Sequence, residues 1–313
     1  MEKVRIAIMG AGGISSRVAQ GIKESKNCII SRVVSRDLKR AKTLADKFEV
    51  LSYSDNYSDA FLDDIDAVYI TTINELHYAH IRECILHRKH VICEKPMLVD
   101  FNEVKELYDL AREYDVMLLE AMKCRYLPTV TKVKEILKDL PKPHYLTATF
   151  CRDEWFARDE NHWFFNPTYG GAFKDIGCYV LSWVFEIFPA EAVEYNLQQL
   201  FGKGIDIESW LYVKNEEGLF MQLGCGVNYN ADNMALICGD DYQIKVRDFW
   251  KSYNIEVYKK QKLVREYKED IGSEFSYQVD YFGEIIKKAA WSKTNATQIL
   301  FLERIISFYP TSK

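Results

Sequence analysis

At 313 residues the chain is long enough for two domains, each able to bury its own core. Apolar residues make up 48% and charged residues 28%, an ordinary globular mixture that excludes a disordered chain. The net charge of −5 is spread over both signs, with no basic stripe for nucleic acid and no apolar run long enough to span a membrane. The eight cysteines stand singly, without C-x-x-C pairs or zinc spacing, so no metal site is expected. The first residues lack the apolar core of a signal peptide, which fits a cytoplasmic protein.

Short apolar runs at Val4–Met9, Ile29–Val34, Asp66–Ile70, His90–Cys93 and Val116–Leu119 predict fully buried parallel strands. Helical patterns alternate with them. Leu38, Ala41, Leu44, Ala45 and Phe48 follow Asp37 as N-cap, and Val104, Leu107, Tyr108, Ala111 and Tyr114 follow Asp100, with Glu103 completing a capping box. Such alternation specifies a doubly wound α/β Rossmann domain over residues 1–122. After about residue 125 the rhythm changes to a helix near 129–140, a strand Tyr145–Cys151 and an apolar helix from Ile176. Strands follow at 193–200, 208–214, 218–227, 234–238, 241–247 and 253–260, then helices near 274–291 and 295–308. Residues 123–313 therefore read as an α+β domain with a large, open, mostly antiparallel sheet, serving substrate binding and oligomerisation. Alternation at Leu219, Met221, Leu223 and Cys225 gives that sheet an apolar face, and a homodimer or homotetramer pairing through it is expected.

The turn Gly10-Ala11-Gly12-Gly13-Ile14-Ser15 lies between the first strand and a helix. There Gly10 permits a tight turn and Gly12 lets the backbone approach a dinucleotide pyrophosphate at the helix N-terminus. Ser15 stands at the usual third glycine. The second strand ends in Ser35-Arg36-Asp37 rather than in an acid, which favours the 2′-phosphate of NADP over the free ribose of NAD, although NAD stays open.

Two further segments, Thr71-Thr72-Ile73-Asn74-Glu75-Leu76-His77 and His90-Val91-Ile92-Cys93-Glu94-Lys95-Pro96, resemble the Gfo/Idh/MocA oxidoreductase family, whose patterns are T-P-N-x-x-H and G-K-H-V-x-x-E-K-P. Glu120-Ala121-Met122-Lys123-Cys124-Arg125-Tyr126-Leu127-Pro128 resembles the family's E-A-x-x-W-R-[FY]-x-P, and Gly170–Tyr179 continues the likeness to about residue 188. The departures are Ile73 for proline, Arg88 for glycine and Cys124 for tryptophan. The resemblance implies that Asn74, His77 and Glu94 lie along the ribose and nicotinamide, that Lys95 faces nicotinamide and substrate, and that Arg125 reaches the cofactor. Asp175 and Tyr179, four apart on one helix face, would complete the site, and a tyrosine at this place is closest to the dihydrodiol dehydrogenase-like members.

The proton chemistry is legible without the family. Hydride transfer at a carbonyl carbon needs a proton to move on the oxygen, and a phenol serves once a nearby ammonium stabilises its phenolate. Tyr179 is thus the expected acid–base, Lys95 its cation and Asp175 their support, and the resemblance implies a sugar, polyol or small cyclic diol as substrate. The alternative is a non-enzymatic regulator that senses NAD(P) or a sugar on the same fold. The segment holding Trp155, Arg158, His162, Trp163 and Asn166 suits either a polyol pocket or a packed loop.

Overall fold

The computed structural model describes residues 2–153, 158–159 and 162–310. The chain divides into two compact units, Met1–Met122 with Gly272–Ser307, and Lys123–Ile271 with Phe308–Lys313.

The first unit opens with β1 (Val4–Met9), α1 (Ser15–Glu24), β2 (Cys28–Val34), α2 (Leu38–Phe48) and the short β3 (Tyr53–Ser54). It continues with β4 (Ala67–Ile70), α3 (His77–Leu86), β5 (His90–Glu94), α4 (Phe101–Glu113) and β6 (Leu118–Ala121). Its strands are parallel in the order β3-β2-β1-β4-β5-β6. Every residue of β4 is buried, as a central parallel strand covered on both faces requires. Asp37 caps α2 by accepting from Arg40 N at 3.1 Å, and Asp100 caps α4 by accepting from Asn102 N at 2.8 Å. Strand order reverses direction between β1 and β4, which opens a crevice at their carboxyl ends.

The second unit contains α5 (Pro128–Lys138), β7 (Tyr145–Cys151), α6 (Cys178–Ile187), β8 (Ala192–Gly202), β9 (Ile205–Asn215), β10 (Phe220–Gly226) and β11 (Met234–Cys238). It ends with β12 (Tyr242–Arg247), β13 (Tyr253–Lys259) and β14 (Lys262–Glu269), an eighth strand absent from the sequence expectation. The sheet order is β14-β13-β12-β11-β7-β10-β9-β8. Only the central β7–β10 pair is parallel, the others being antiparallel, so the sheet is mixed but mostly antiparallel.

One expectation is corrected here. Leu219, Met221, Leu223 and Cys225 do not form an open face, because all four are buried within the unit, at 1–3% exposure. Alternation groups residues by face but does not say which face the helices will cover, and the aliphatic one takes them. The other face carries Phe220, Tyr212 and Tyr145, exposed at 56%, 42% and 37%. There the Trp210 ring lies over Gly224, where an added Cβ would come within 2.5 Å of it.

The chain then returns to the first unit with α7 (Ser276–Lys287) and α8 (Trp291–Ile306). Residues 272–307, grouped with the second domain on sequence alone, pack against the parallel sheet. Gln278 Nε2 donates to Tyr69 OH at 2.7 Å, and Asn295 brackets the start of β6, accepting from Leu118 N at 3.1 Å and donating to Val116 O at 2.8 Å. These buried amides break the apolar pattern of both helices and bond instead to backbone or to a buried phenol of the first unit.

Candidate active site

In the first unit the glycine turn is held by its neighbours. Gly10 has φ +115°, and a Cβ there would lie 2.7 Å from Thr71 Oγ1 and 2.9 Å from Thr71 C, so no other residue fits. Ser15, fully buried at the third glycine position, shares a 2.8 Å hydrogen bond with Thr71 Oγ1 and thereby ties α1 to the end of β4. A Cβ on Gly12 or Gly13 would meet nothing within 4 Å, and Ile14, the cap of α1, makes no side-chain capping bond. Open space thus lies before a helix N-terminus whose first N–H groups have no side-chain cap, a setting that suits a pyrophosphate.

Gly10, Gly12, Ser35, Arg36, Thr71 and Thr72 line one cavity. Gly13 lines the adjoining groove with Ser16 and Lys47. Arg40 and Tyr57, which sequence reasoning missed, line the cavity as well. Arg40 approaches Asp37 Oδ2 at 3.4 Å, and Asp37 is occupied as the cap of α2, so this carboxylate is offset where a 2′-phosphate would arrive.

The remaining first-unit residues form a knot of two loops. Asn74 Nδ2 donates to Pro96 O at 2.9 Å. His77 is buried, with Nδ1 at 3.1 Å from Met97 O and 3.2 Å from Pro96 O, and Nε2 at 3.1 Å from Thr72 O. Burial outweighs these carbonyls and holds its pKa below the ordinary histidine value, so the neutral ring, with its single N–H, donates to the carbonyls on one side only. Glu94, also buried, accepts from Tyr69 OH at 2.9 Å, and Glu120 accepts from Met97 N at 3.0 Å. Lys95, partly buried, precedes a cis bond to Pro96.

In the second unit a single turn of π-helix, Phe173–Gly177, leads into α6 and presents Asp175 and Tyr179 on successive turns. Its start is built around Asp206, whose Oδ2 accepts from Phe173 N and from Ser209 Oγ, both at 2.7 Å. Gly171 has φ +90°, and a Cβ there would fall 2.1 Å from Asp206 Oδ1. Sequence gave no motif for Asp206. Burial raises its pKa above the ordinary carboxylate value despite both donors. The ionised form therefore costs stability, a cost that vanishes as pH falls below the unfolded pKa. Asp206→Asn, whose amide oxygen can accept from the same donors, is expected to be at least as stable as the parent at pH 7. That advantage should shrink toward pH 4, as followed by chemical denaturation, and a variant less stable at pH 7 would contradict this.

Asp175 Oδ2 lies 3.8 Å from Arg158 Nη2, and the Arg158 guanidinium sits 4.4 Å from the centroid of the Phe164 ring. His162 Nδ1 accepts from Phe164 N at 3.2 Å. Trp155 lies outside the described residues. Arg125, expected at the cofactor, is buried and bonds Glu186 of α6 through Nε at 3.1 Å. Among the described residues no cluster of His, Cys, Asp and Glu could hold a metal ion, and no helix is long and apolar enough to cross a membrane.

Residues 4–122 match the model of an oxidoreductase family with an NAD-binding Rossmann fold. Oxidoreductase YgjR of Escherichia coli is 30% identical over 211 residues, 66% of this chain and 64% of that protein. Trans-1,2-dihydrobenzene-1,2-diol dehydrogenase of Mus musculus is 25% identical across 91% of this chain and 89% of that protein. The NADP(+)-dependent scyllo-inositol 2-dehydrogenase IolU of Bacillus subtilis is 27% identical over the same shares. The chain is similar to the Gfo/Idh/MocA oxidoreductases, with the family model matched over residues 4–122. Its fold is that of KijD10, a 3-ketoreductase from Actinomadura kijaniata solved with NADP, at TM-score 0.83 and 18% identity, covering 98% and 96% of the two chains.

Gfo/Idh/MocA proteins are NAD(P)-dependent oxidoreductases, and this kinship favours an enzyme over a regulator. The structure also accounts for two departures from the family pattern. Arg88, at the family's glycine, has φ +55°, the left-handed region where glycine costs nothing, and its guanidinium packs 5.4 Å from the centre of the Tyr114 ring. Ile73, at the family's proline, has φ −70° and ψ 151°, the region a proline would hold.

Proposed function

We propose that this protein is an NADP-preferring oxidoreductase that moves a hydride between the nicotinamide and a hydroxyl- or carbonyl-bearing carbon of a sugar, polyol or small cyclic diol. The observation that carries this is Asp175 and Tyr179 on successive turns of an element anchored by buried Asp206, in a chain similar to this family that keeps Lys95. Bound at the glycine turn, with Arg36 and Arg40 at the ribose end, the dinucleotide supplies the hydride acceptor or donor. Tyr179 Oη takes the hydroxyl proton as the alcohol becomes a carbonyl and returns it in reduction. Lys95 supplies an ammonium that stabilises the phenolate, and Asp175 supports both groups. A change in nicotinamide absorbance on mixing the protein and cofactor with a panel of sugars, polyols and diols tests this. Tight NADPH binding without turnover of any member would point to the regulator instead.

Cofactor preference rests on two exposed arginines lining the cavity beside Ser35. NADPH is expected to bind more tightly than NADH, and Arg36→Ala or Arg40→Ala should each weaken NADPH by about tenfold to a hundredfold while leaving NADH little changed. Fluorescence titration measures this. Equal affinities of the parent for the two cofactors would refute it.

The protein is further proposed to work in the cytoplasm as at least a homodimer, a second copy covering the aromatic face around Phe220, Tyr212 and Tyr145. Light scattering that returned a monomer at micromolar concentration would end this reading.

A further inference from the structure

Lys123 opens the 3-10 turn Lys123–Arg125 and is only 3% exposed, an unusual burial for lysine. The turn is fastened to α6. Cys124 Sγ donates to Tyr179 O at 3.7 Å, and Arg125 Nη2 pairs with Glu186 Oε2 at 3.1 Å, one end of α6 and then the other. On that shared frame Lys123 Nζ lies 5.9 Å from the centroid of the Tyr179 ring. Phe150 of β7 meets the same ring edge-on at 5.9 Å, so the phenol has an ammonium on one side and hydrocarbon on another.

We propose that Lys123 is a positioning residue for Tyr179, its ammonium stabilising the phenolate and so setting the pH at which Tyr179 can accept a substrate proton. The proposal rests on the reading of Tyr179 as the proton-transfer residue. A unit charge about 6 Å away, at an effective dielectric of about 20, shifts such an ionisation by about one to two pH units. Other charged groups also bear on the ring. Asp175, one turn earlier, opposes phenolate formation, but Arg158 stands 3.8 Å from its carboxylate. Arg125 is engaged by Glu186, which also accepts from Lys134 at 2.7 Å. From the sheet side come the buried thiol of Cys225, which lies against Gly177 and has its pKa raised by burial, and Asp206, which faces the start of the π-turn. A second cation on the acid–base tyrosine enlarges the phenolate fraction near neutral pH and favours alcohol oxidation.

The test is an ultraviolet titration of tyrosinate absorbance, with the curve of Tyr179→Phe subtracted so that only Tyr179 remains. In Lys123→Met the Tyr179 step should move up by about one to two pH units, and in Lys123→Arg, which keeps the charge, by less than about half a unit. The pH profile of alcohol oxidation should shift with it, while NADPH affinity and substrate KM change less than about twofold, which lost packing alone would not produce. If Lys123→Met does not fold, Lys123→Gln against Lys123→Arg makes the same comparison. An unchanged Tyr179 step in the neutral variant overturns the proposal. Full activity in Tyr179→Phe would remove the catalytic reading and with it the proposed role, whereas an inactive Tyr179→Phe with an unmoved titration removes Lys123 alone.

Discussion

Tyr179→Phe is expected to slow hydride transfer by about two to four orders of magnitude, the usual worth of a positioned general acid–base. The substitution removes one oxygen and keeps the ring that packs against Phe150 and lies beneath Lys123. NADPH affinity should stay near that of the parent, because the groups expected to hold the dinucleotide line a cavity of the first unit. Lys95→Met should cause a comparable loss, and the double variant should lose far less than the product of the two, since groups acting as one unit are not additive. Single-turnover rates with saturating cofactor measure all three. A fully active Tyr179→Phe would send the proton elsewhere, with His162 or water as the next candidates.

Gly170→Ala is expected to destabilise the second unit by about 3 kcal/mol or more, beyond the usual cost of overpacking. A Cβ at Gly170 would sit 1.9 Å from Phe164 O, 2.5 Å from Phe164 C and 2.8 Å from Asn166 O. All three are backbone atoms, and the same peptides are locked by Gly170 N to Asn166 O at 2.7 Å and Gly171 N to Phe164 O at 3.1 Å. No side chain can swing aside to absorb the clash. Because this turn leads directly into the segment bearing Asp175 and Tyr179, activity should fall with stability. Chemical denaturation checks the first effect, and a midpoint equal to the parent's would show that the turn tolerates rearrangement.

The parallel sheet was legible because strands covered on both faces must be largely apolar, as β4 is throughout and β1 is apart from Arg5. β14 was not, since Lys262–Glu269 is exposed over nearly all its length and shows no period. Its turn, Lys260-Gln261, takes φ 47° and 62° without the Gly or Asn that usually announces a hairpin. At the site, the glycine turn and the E-K-P segment speak through backbone constraints that few residues satisfy. Arg40, Asp206 and Lys123 do not, because a lone charge in sequence looks the same whether solvated, buried under a turn or set over a ring. His77 shows the reverse case: its place in a motif marked it, and the structure buries its ring between loop carbonyls rather than leaving it open to a ligand.

The split composition of the first unit bears on how the protein is made and how it can be re-engineered. Residues 272–307 are synthesised after both sheets, yet they supply Gln278 to Tyr69, Asn295 to the head of β6 and Phe275 to the surface of α1 at Gly21. A ribosome therefore emits the six parallel strands long before their last covering helices exist, and the whole eight-stranded sheet emerges in between. A gene fragment that stops at residue 122 would encode a nucleotide-binding half with one flank bare. A chimera that exchanges that half between relatives has to carry α7 and α8 along with it.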